Sequence, residues 1–214
     1  IESGGNYNTV VGDEAGTALT TGDGNVAVGF EALKTEDANG ESTAIGYQAL
    51  KTQNAGISGL NVAVGYKAGA AVTTGTINTL IGALAGDALT TGNSNVAVGH
   101  TALSADTLGD RNVAIGNNAL AQQNFTSSTD SYNVAIGYVA GGSVSTGVQN
   151  TLIGGLAGDA ITTGYYNTAL GKDALGTNTL SSLNVAIGHS ALKTMSAGNA
   201  ETHNVAVGAN AGLS

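Results

Sequence analysis

Six side chains able to hold a ligand share one address in this chain. Phe30, Tyr47, Tyr66, His100, Tyr138 and His189 each follow a glycine in a short string that recurs along the sequence. Rings aligned in this way can stack on sugars, which makes the six a candidate carbohydrate stripe. The competing reading is that they only cover the surface or an interface. Other chemistry is sparse. Glu36 to Glu41 and Asp106 to Asp110 superficially resemble calcium loops, but the full Asp-x-Asp-x-Asp-Gly pattern with its later Glu is missing. His100, His189 and His203 stand too far apart for a zinc set of short spacing. No Gly-Lys-Ser/Thr follows a glycine-rich corner and no nucleophile elbow is present. The expectation is a protein that is not an enzyme and carries no metal and no cofactor. Thr-Thr-Gly corners invite an ice-binding reading, yet they occur in only some copies and form no continuous Thr array. Asn124-Phe125-Thr126 is a glycosylation sequon, relevant in a eukaryotic secretory setting.

The element that must position these groups is the recurring string itself, seen in NVAVGFEAL from Asn25. Twelve copies begin at Asn8, Asn25, Ser42, Asn61, Asn78, Asn95, Asn112, Asn133, Asn150, Asn167, Asn184 and Asn204. Their starts lie 17, 17, 19, 17, 17, 17, 21, 17, 17, 17 and 20 residues apart. A fixed short period over residues 1–214 indicates one stacked-repeat domain. Two apolar residues flank a middle one, so an extended segment is apolar on both faces and expected to be covered on both. The middle position is Ala in nine copies and Val10, Leu80 or Leu152 in the others. This flat face is expected to approach another sheet or subunit closely. Gly ends every strand, which calls for positive φ or close backbone approach at a corner. The leading Asn fits a turn cap or a ladder of stacked amides. Ala recurs three residues after each Gly as a second inward position.

These features predict an all-β, parallel β-solenoid (β-roll) of twelve ~17-residue repeats. At ~4.8 Å per turn the rod would be roughly 55 to 60 Å long. The residue after the second Ala is Gly or Leu in the order Gly, Leu, Leu, Gly, three times over, which groups the repeats into three units of four. In the Gly class an apolar residue comes later, at Leu19, Val72, Leu89, Val144 and Ile161. In the Leu class a polar spacer follows, and residues 51–60, 121–132 and 193–203 are the long ones, expected to project. Either each ~17-residue repeat is one turn, the preferred account, or four repeats form the sides of one large turn.

Net charge of −9 argues against nucleic acid and anionic membrane surfaces as partners. No apolar run approaches the ~18 residues a membrane span requires. With no Cys, a disulfide framework is excluded. The string Ala211-Gly212-Leu213-Ser214 followed by Ile1-Glu2-Ser3-Gly4 reads like residues 140–150 split in two, with Ile1 in the slot of Val144. It is a candidate end-to-end joint; the alternatives are a cut through a longer array and a ring.

The motifs NVAVGxxAL and NVAIGYxAG, spaced by TTGxxN, resemble phage tail-fibre repeats and the heads of trimeric autotransporter adhesins. The resemblance implies left-handed parallel β-rolls, three chains side by side, on a virion or cell surface, acting in attachment. Adhesin heads usually have a shorter repeat, and the self-cleaving chaperone that often follows tail-fibre repeats is absent. Three functions are expected in order: a structural and adhesive segment of an extracellular fibre, a filament subunit joined head to tail, and a carbohydrate-binding module. The partners would be a second and third copy of the chain, and a cell-surface glycan.

Overall fold

The structure is a computed structural model and describes residues 5–38, 40–195 and 201–213. Twelve three-residue strands form one parallel sheet. They are β1 (Thr9–Val11), β2 (Val26–Val28), β3 (Thr43–Ile45), β4 (Val62–Val64), β5 (Thr79–Ile81), β6 (Val96–Val98), β8 (Val113–Ile115), β10 (Val134–Ile136), β11 (Thr151–Ile153), β12 (Thr168–Leu170), β13 (Val185–Ile187) and β14 (Val205–Val207). Two short strands also pair, β7 (Gly109–Asp110) one turn earlier with β9 (Thr129–Asp130) in the second long spacer. Each main strand pairs with the next in the same register, as Thr9 with Val26 and Val10 with Ala27. One repeat is therefore one turn, and the chain is an all-β parallel β-solenoid.

The corner glycines satisfy both requirements placed on them. Gly99 has φ +139°, and a Cβ there would lie 2.5 Å from the carbonyl oxygen of Gly116 in the next turn. The asparagines do both jobs as well. Within a turn, Asn95 Nδ2 donates to the Gly109 carbonyl at 2.9 Å. Between turns, Asn95 Oδ1 accepts from the Asn112 N–H at 2.9 Å. Where Ser42 replaces Asn, its Oγ takes over as acceptor, from the Asn61 N–H and from Gln53 Nε2 at 2.9 Å.

The expected use of the alanine face is overturned. The middle residues of the strands point into the chain's own interior, and all except Val10 are buried. None of the flanking residues, such as Val26, Val28, Thr43 and Ile45, is buried. The rod is narrow, so its interior accepts a methyl from the strand and takes its bulk from elsewhere in the turn. The alanine face is thus not available to another subunit; the valine and isoleucine face is.

The four-repeat grouping follows from filling this interior. The slot four residues after the corner glycine is left-handed in every copy, whether Gly16 (φ +52°) or Leu33 (φ +50°). Glycine adopts that backbone freely, whereas leucine costs about 1–2 kcal/mol, offset by about 1.5–3 kcal/mol for burying its side chain. In the Gly class the later aliphatic residue reaches into the volume the leucine would use: a Cβ on Gly16 would lie 2.8 Å from Leu19 Cδ1, and one on Gly158 2.8 Å from Ile161 Cδ1. Where two Gly-class turns adjoin, one larger strand residue leans into both gaps. Leu80 Cδ atoms lie 2.7 and 2.8 Å from where Cβ atoms on Gly69 and Gly86 would be, and Leu152 sits likewise between Gly141 and Gly158.

In five of the six Leu-class turns, the sixth holding Met195, the interior is already filled and the same later slot turns polar but stays buried, at Glu36, Gln53, Asp106, Gln123 and Asn178. These residues pair across turns: Gln53 Nε2 donates to Glu36 Oε2 at 2.8 Å and Gln123 Nε2 to Asp106 Oδ2 at 2.6 Å. Burial pushes the Asp106 carboxyl above the usual carboxylate range, against the pull of Gln123 and backbone N–H donors. The long spacers were expected simply to project, but the third residue of the first two, Gln53 and Gln123, is pinned inside. In the second spacer Phe125 is also buried, and Ser128 Oγ donates to Asp110 Oδ2 at 2.8 Å. Exposed tips remain at residues 56–58 and 126–128, while 196–200 lie outside the described residues.

Candidate functional site: the outer face of the sheet

The outer face carries two residues from each of twelve strands, and every one is Val, Ile, Leu or Thr. The first outward position is Thr in five strands and Val in seven, because a hydroxyl and a methyl occupy the same space, which reaches solvent. The second is Val, Ile or Leu throughout, with Val11, Ile45, Ile81, Leu170 and Val207 exposed. At ~4.8 Å per strand the face is roughly 53 Å long. It is uncharged over its length, although the chain carries 21 charged residues.

Two columns border this face. On one side stands the left-handed residue preceding each strand's Asn, including exposed Tyr7, Leu60, Ile77, Tyr132 and Tyr166. Arg111 stands in this column with its guanidinium 5.7 Å from the Tyr132 ring and is ion-paired to Asp130. On the other side stands the residue after the corner glycine, where all six ring candidates lie. Phe30, Tyr47 and Tyr66 are brought together: successive centroids are 5.2 and 5.4 Å apart, with interplanar angles of 20° and 13°. Tyr47 is therefore covered on both faces by its neighbours, and the Lys67 ammonium lies 5.4 Å from the centroid of the Tyr66 ring. The stack offers ring edges and two hydroxyls outward. His100, Tyr138 and His189 stand in the same column but are separated by turns carrying Ala83, Asn117, Gly155 and Lys172.

Beyond this border lies an ionic cluster. Glu31 accepts from Lys34 and Lys51, both at 2.6 Å, and from Gln48; Lys34 also pairs with Glu14. The Lys34 ammonium, followed by Lys51 and Gln48, holds the Glu31 carboxyl down at about 2. At the corner where the spacers begin and end, Thr21, Asp23, Ala38, Gly40, Glu41 and Ser58 line a shallow notch. Among the described residues no group of three or more His, Cys, Asp or Glu could hold a metal ion, and no helix is long and apolar enough to cross a membrane.

Of the candidate joint, Ile1, Glu2, Ser3, Gly4 and Ser214 lie outside the described residues. Ala211 accepts from the Leu192 N–H at 2.9 Å, Leu213 N–H donates to the Asn210 carbonyl at 3.2 Å, and Gly212 is left-handed at φ +66°. Sequence reasoning missed the outer face as a site. The signal was the free exchange of Thr for Val at its first position, which an interior would not tolerate. Compared with protein-family models, with curated proteins and with solved structures, the chain matches none.

Proposed function

We propose that this chain is a rigid structural segment of an extracellular fibre, in which copies run side by side through the outer faces of their sheets. The observation that carries the reading is the uncharged Val, Ile, Leu and Thr face running the length of the twelve-stranded sheet. Contiguous apolar surface of this extent is unusual on a soluble monomer. With its bordering columns the face is roughly 15 Å wide, or about 800 Å² per chain, the area a standard interface buries on each partner. A flat sheet packs on another at ~10 Å, and identical faces repeat at identical heights when the chains run parallel. Three chains around one axis are favoured by the resemblance to tail-fibre and adhesin repeats. The same resemblance favours a virion or cell-surface location and a role in attachment, with the spacer tips and the outward ring edges as the surfaces presented to a receptor such as a glycan.

The experiment is to place lysine at Val98 and Ile115, adjacent turns of the second outward position, and to follow sedimentation velocity. The variant is expected to sediment as single chains with an unchanged circular dichroism spectrum, because both side chains already reach solvent. A double-lysine variant that assembles as the parent does would remove the outer face as the interface. Glycan retention by the parent chain, lost when the tips 56–58 and 126–128 are replaced by glycine and serine, would support the attachment role. Retention unchanged by those replacements would count against the tips.

A further inference from the structure

The chain contains one methionine and neither cysteine nor tryptophan, and that methionine lies in the line of buried polar pairs. In the first two four-repeat units a glutamine holds the slot seven residues after the corner glycine of the third repeat. Gln53 Oε1 accepts from Asn61 Nδ2 at 2.8 Å, and Gln123 Oε1 from Asn133 Nδ2 at 2.8 Å, while each Nε2 donates to the carboxylate of the preceding turn. In the third unit the two slots hold Asn178 and Met195. Asn178 Oδ1 accepts from the Ser181 N–H at 3.0 Å, just as Asp106 Oδ1 accepts from the Gly109 N–H at 3.0 Å. Asn178 Nδ2 is thus the counterpart of Asp106 Oδ2; it is fully buried and has no hydrogen-bond partner among the described residues. Asn204 Nδ2, the counterpart of Asn61 and Asn133, points at Met195 Sδ at 2.9 Å. A thioether is a weak acceptor. Two N–H donors therefore face this slot, Asn204 Nδ2 where the other two units have the glutamine Oε1 and Asn178 Nδ2 where they have its Nε2.

We propose that Met195 is an oxidation site whose sulfoxide completes the interior hydrogen-bond ladder instead of breaking it. A peroxide supplies the atom: a sulfur lone pair attacks hydrogen peroxide, the S–O bond forms as the O–O bond breaks, and water leaves. Sulfur loses two electrons and the peroxide gains them. The new oxygen takes the place of Gln53 Nε2 and Gln123 Nε2 and accepts from Asn178 Nδ2, while Asn204 Nδ2 stays against the sulfur. Sulfoxide formation ordinarily disrupts a core by making an apolar side chain polar. The sign reverses here because the donors are already in place and one is unsatisfied, which is the more costly condition. Met195 is half-buried and packs against the core, so peroxide reaches it from solvent. Oxidising surroundings would then tighten the turns around Asn184 to Ala211, and methionine sulfoxide reductase, which is selective for one epimer, would relax them.

The test uses the whole chain, treated with hydrogen peroxide until its intact mass shows one added oxygen. Amide hydrogen exchange is then measured at Val185, whose N–H donates to the Asn204 carbonyl, and at Asn204, whose N–H donates to Asn184 Oδ1. Exchange at both is expected to slow about three- to tenfold on oxidation, and to recover after reductase treatment. Asn178→Asp keeps the Ser181 contact but puts a carboxylate oxygen where the orphan donor stood, so its oxidised form should exchange faster than its reduced form. Unchanged or faster exchange in the oxidised parent chain would overturn the proposal, as would an identical response in N178D.

Discussion

Alanine is the residue that averaging the repeats would install at position 80, since nine of the twelve strands carry it in the middle. The packing predicts that Leu80→Ala is among the most damaging single changes available. Leu80 is fully buried, and its two Cδ atoms fill the spaces left by Gly69 and Gly86, the two adjacent left-handed glycines. Neither glycine has a side chain to move inward, and Val72 and Leu89 are held by their own turns, so the vacated volume stays open. Leucine-to-alanine changes of this kind cost 2–5 kcal/mol depending on collapse, and a site that cannot collapse belongs near the top, at about 4 kcal/mol. The assay is urea denaturation by circular dichroism, combined with hydrogen exchange at the amides of Thr79 and Gly82, which bond to the Asn95 and Val64 carbonyls. Leu152→Ala, between Gly141 and Gly158, should behave alike. A loss below about 1 kcal/mol, the ordinary range for a point substitution, would refute the volume-sharing explanation of the four-repeat grouping.

Gly99→Ala should cost at least about 3 kcal/mol, combining a disfavoured φ with a backbone clash; Gly208→Ala, at φ +127° with Ala211 Cβ at 3.9 Å as the nearest atom to the new Cβ, should show the φ penalty of about 1–3 kcal/mol alone and so be the milder of the two. Thermal unfolding of the pair checks the difference. Asn95→Ala removes the acceptor for the Asn112 N–H and the donor to the Gly109 carbonyl, and each buried group left unpaired costs about 1–3 kcal/mol, a loss visible in the urea midpoint. Glu31 should titrate near 2 instead of 4.5 by carbon NMR, and Lys34→Ala with Lys51→Ala should return it toward 4.5. Because the folded value is depressed, the cluster's contribution is present above pH 4.5 and is lost as pH falls toward 2.

The period, the corner glycines and the asparagine ladder were legible because each turn must repeat the same backbone contacts, and contacts that repeat leave residues that repeat. The choice between the two faces of the strand was not. In Val26-Ala27-Val28 both faces are apolar, and the larger side chains invite the inference that they lie inside. The interior of a one-repeat turn is too narrow for that, and its bulk comes from Leu33 or Leu19 at other slots. The buried polar pairs were hidden in spacers of variable length, where Glu36 and Gln53 read as surface residues; counting seven from each corner glycine aligns them with Leu19 and Val72. Of the six ring candidates the shared column was legible, but not that Phe30, Tyr47 and Tyr66 would spend their faces on one another. Nor does sequence reveal that leucine at positions such as 33 and 50 sits in left-handed backbone, since that strain is offset only by packing in the finished rod.

The claim that the outer face joins chain to chain is tested most directly by light scattering of the chain across a range of concentrations. The account predicts a fixed mass of about three times the 20.8 kDa of one chain. A mass of one chain at every concentration would mean that the valine and isoleucine face stands in water, and would contradict it.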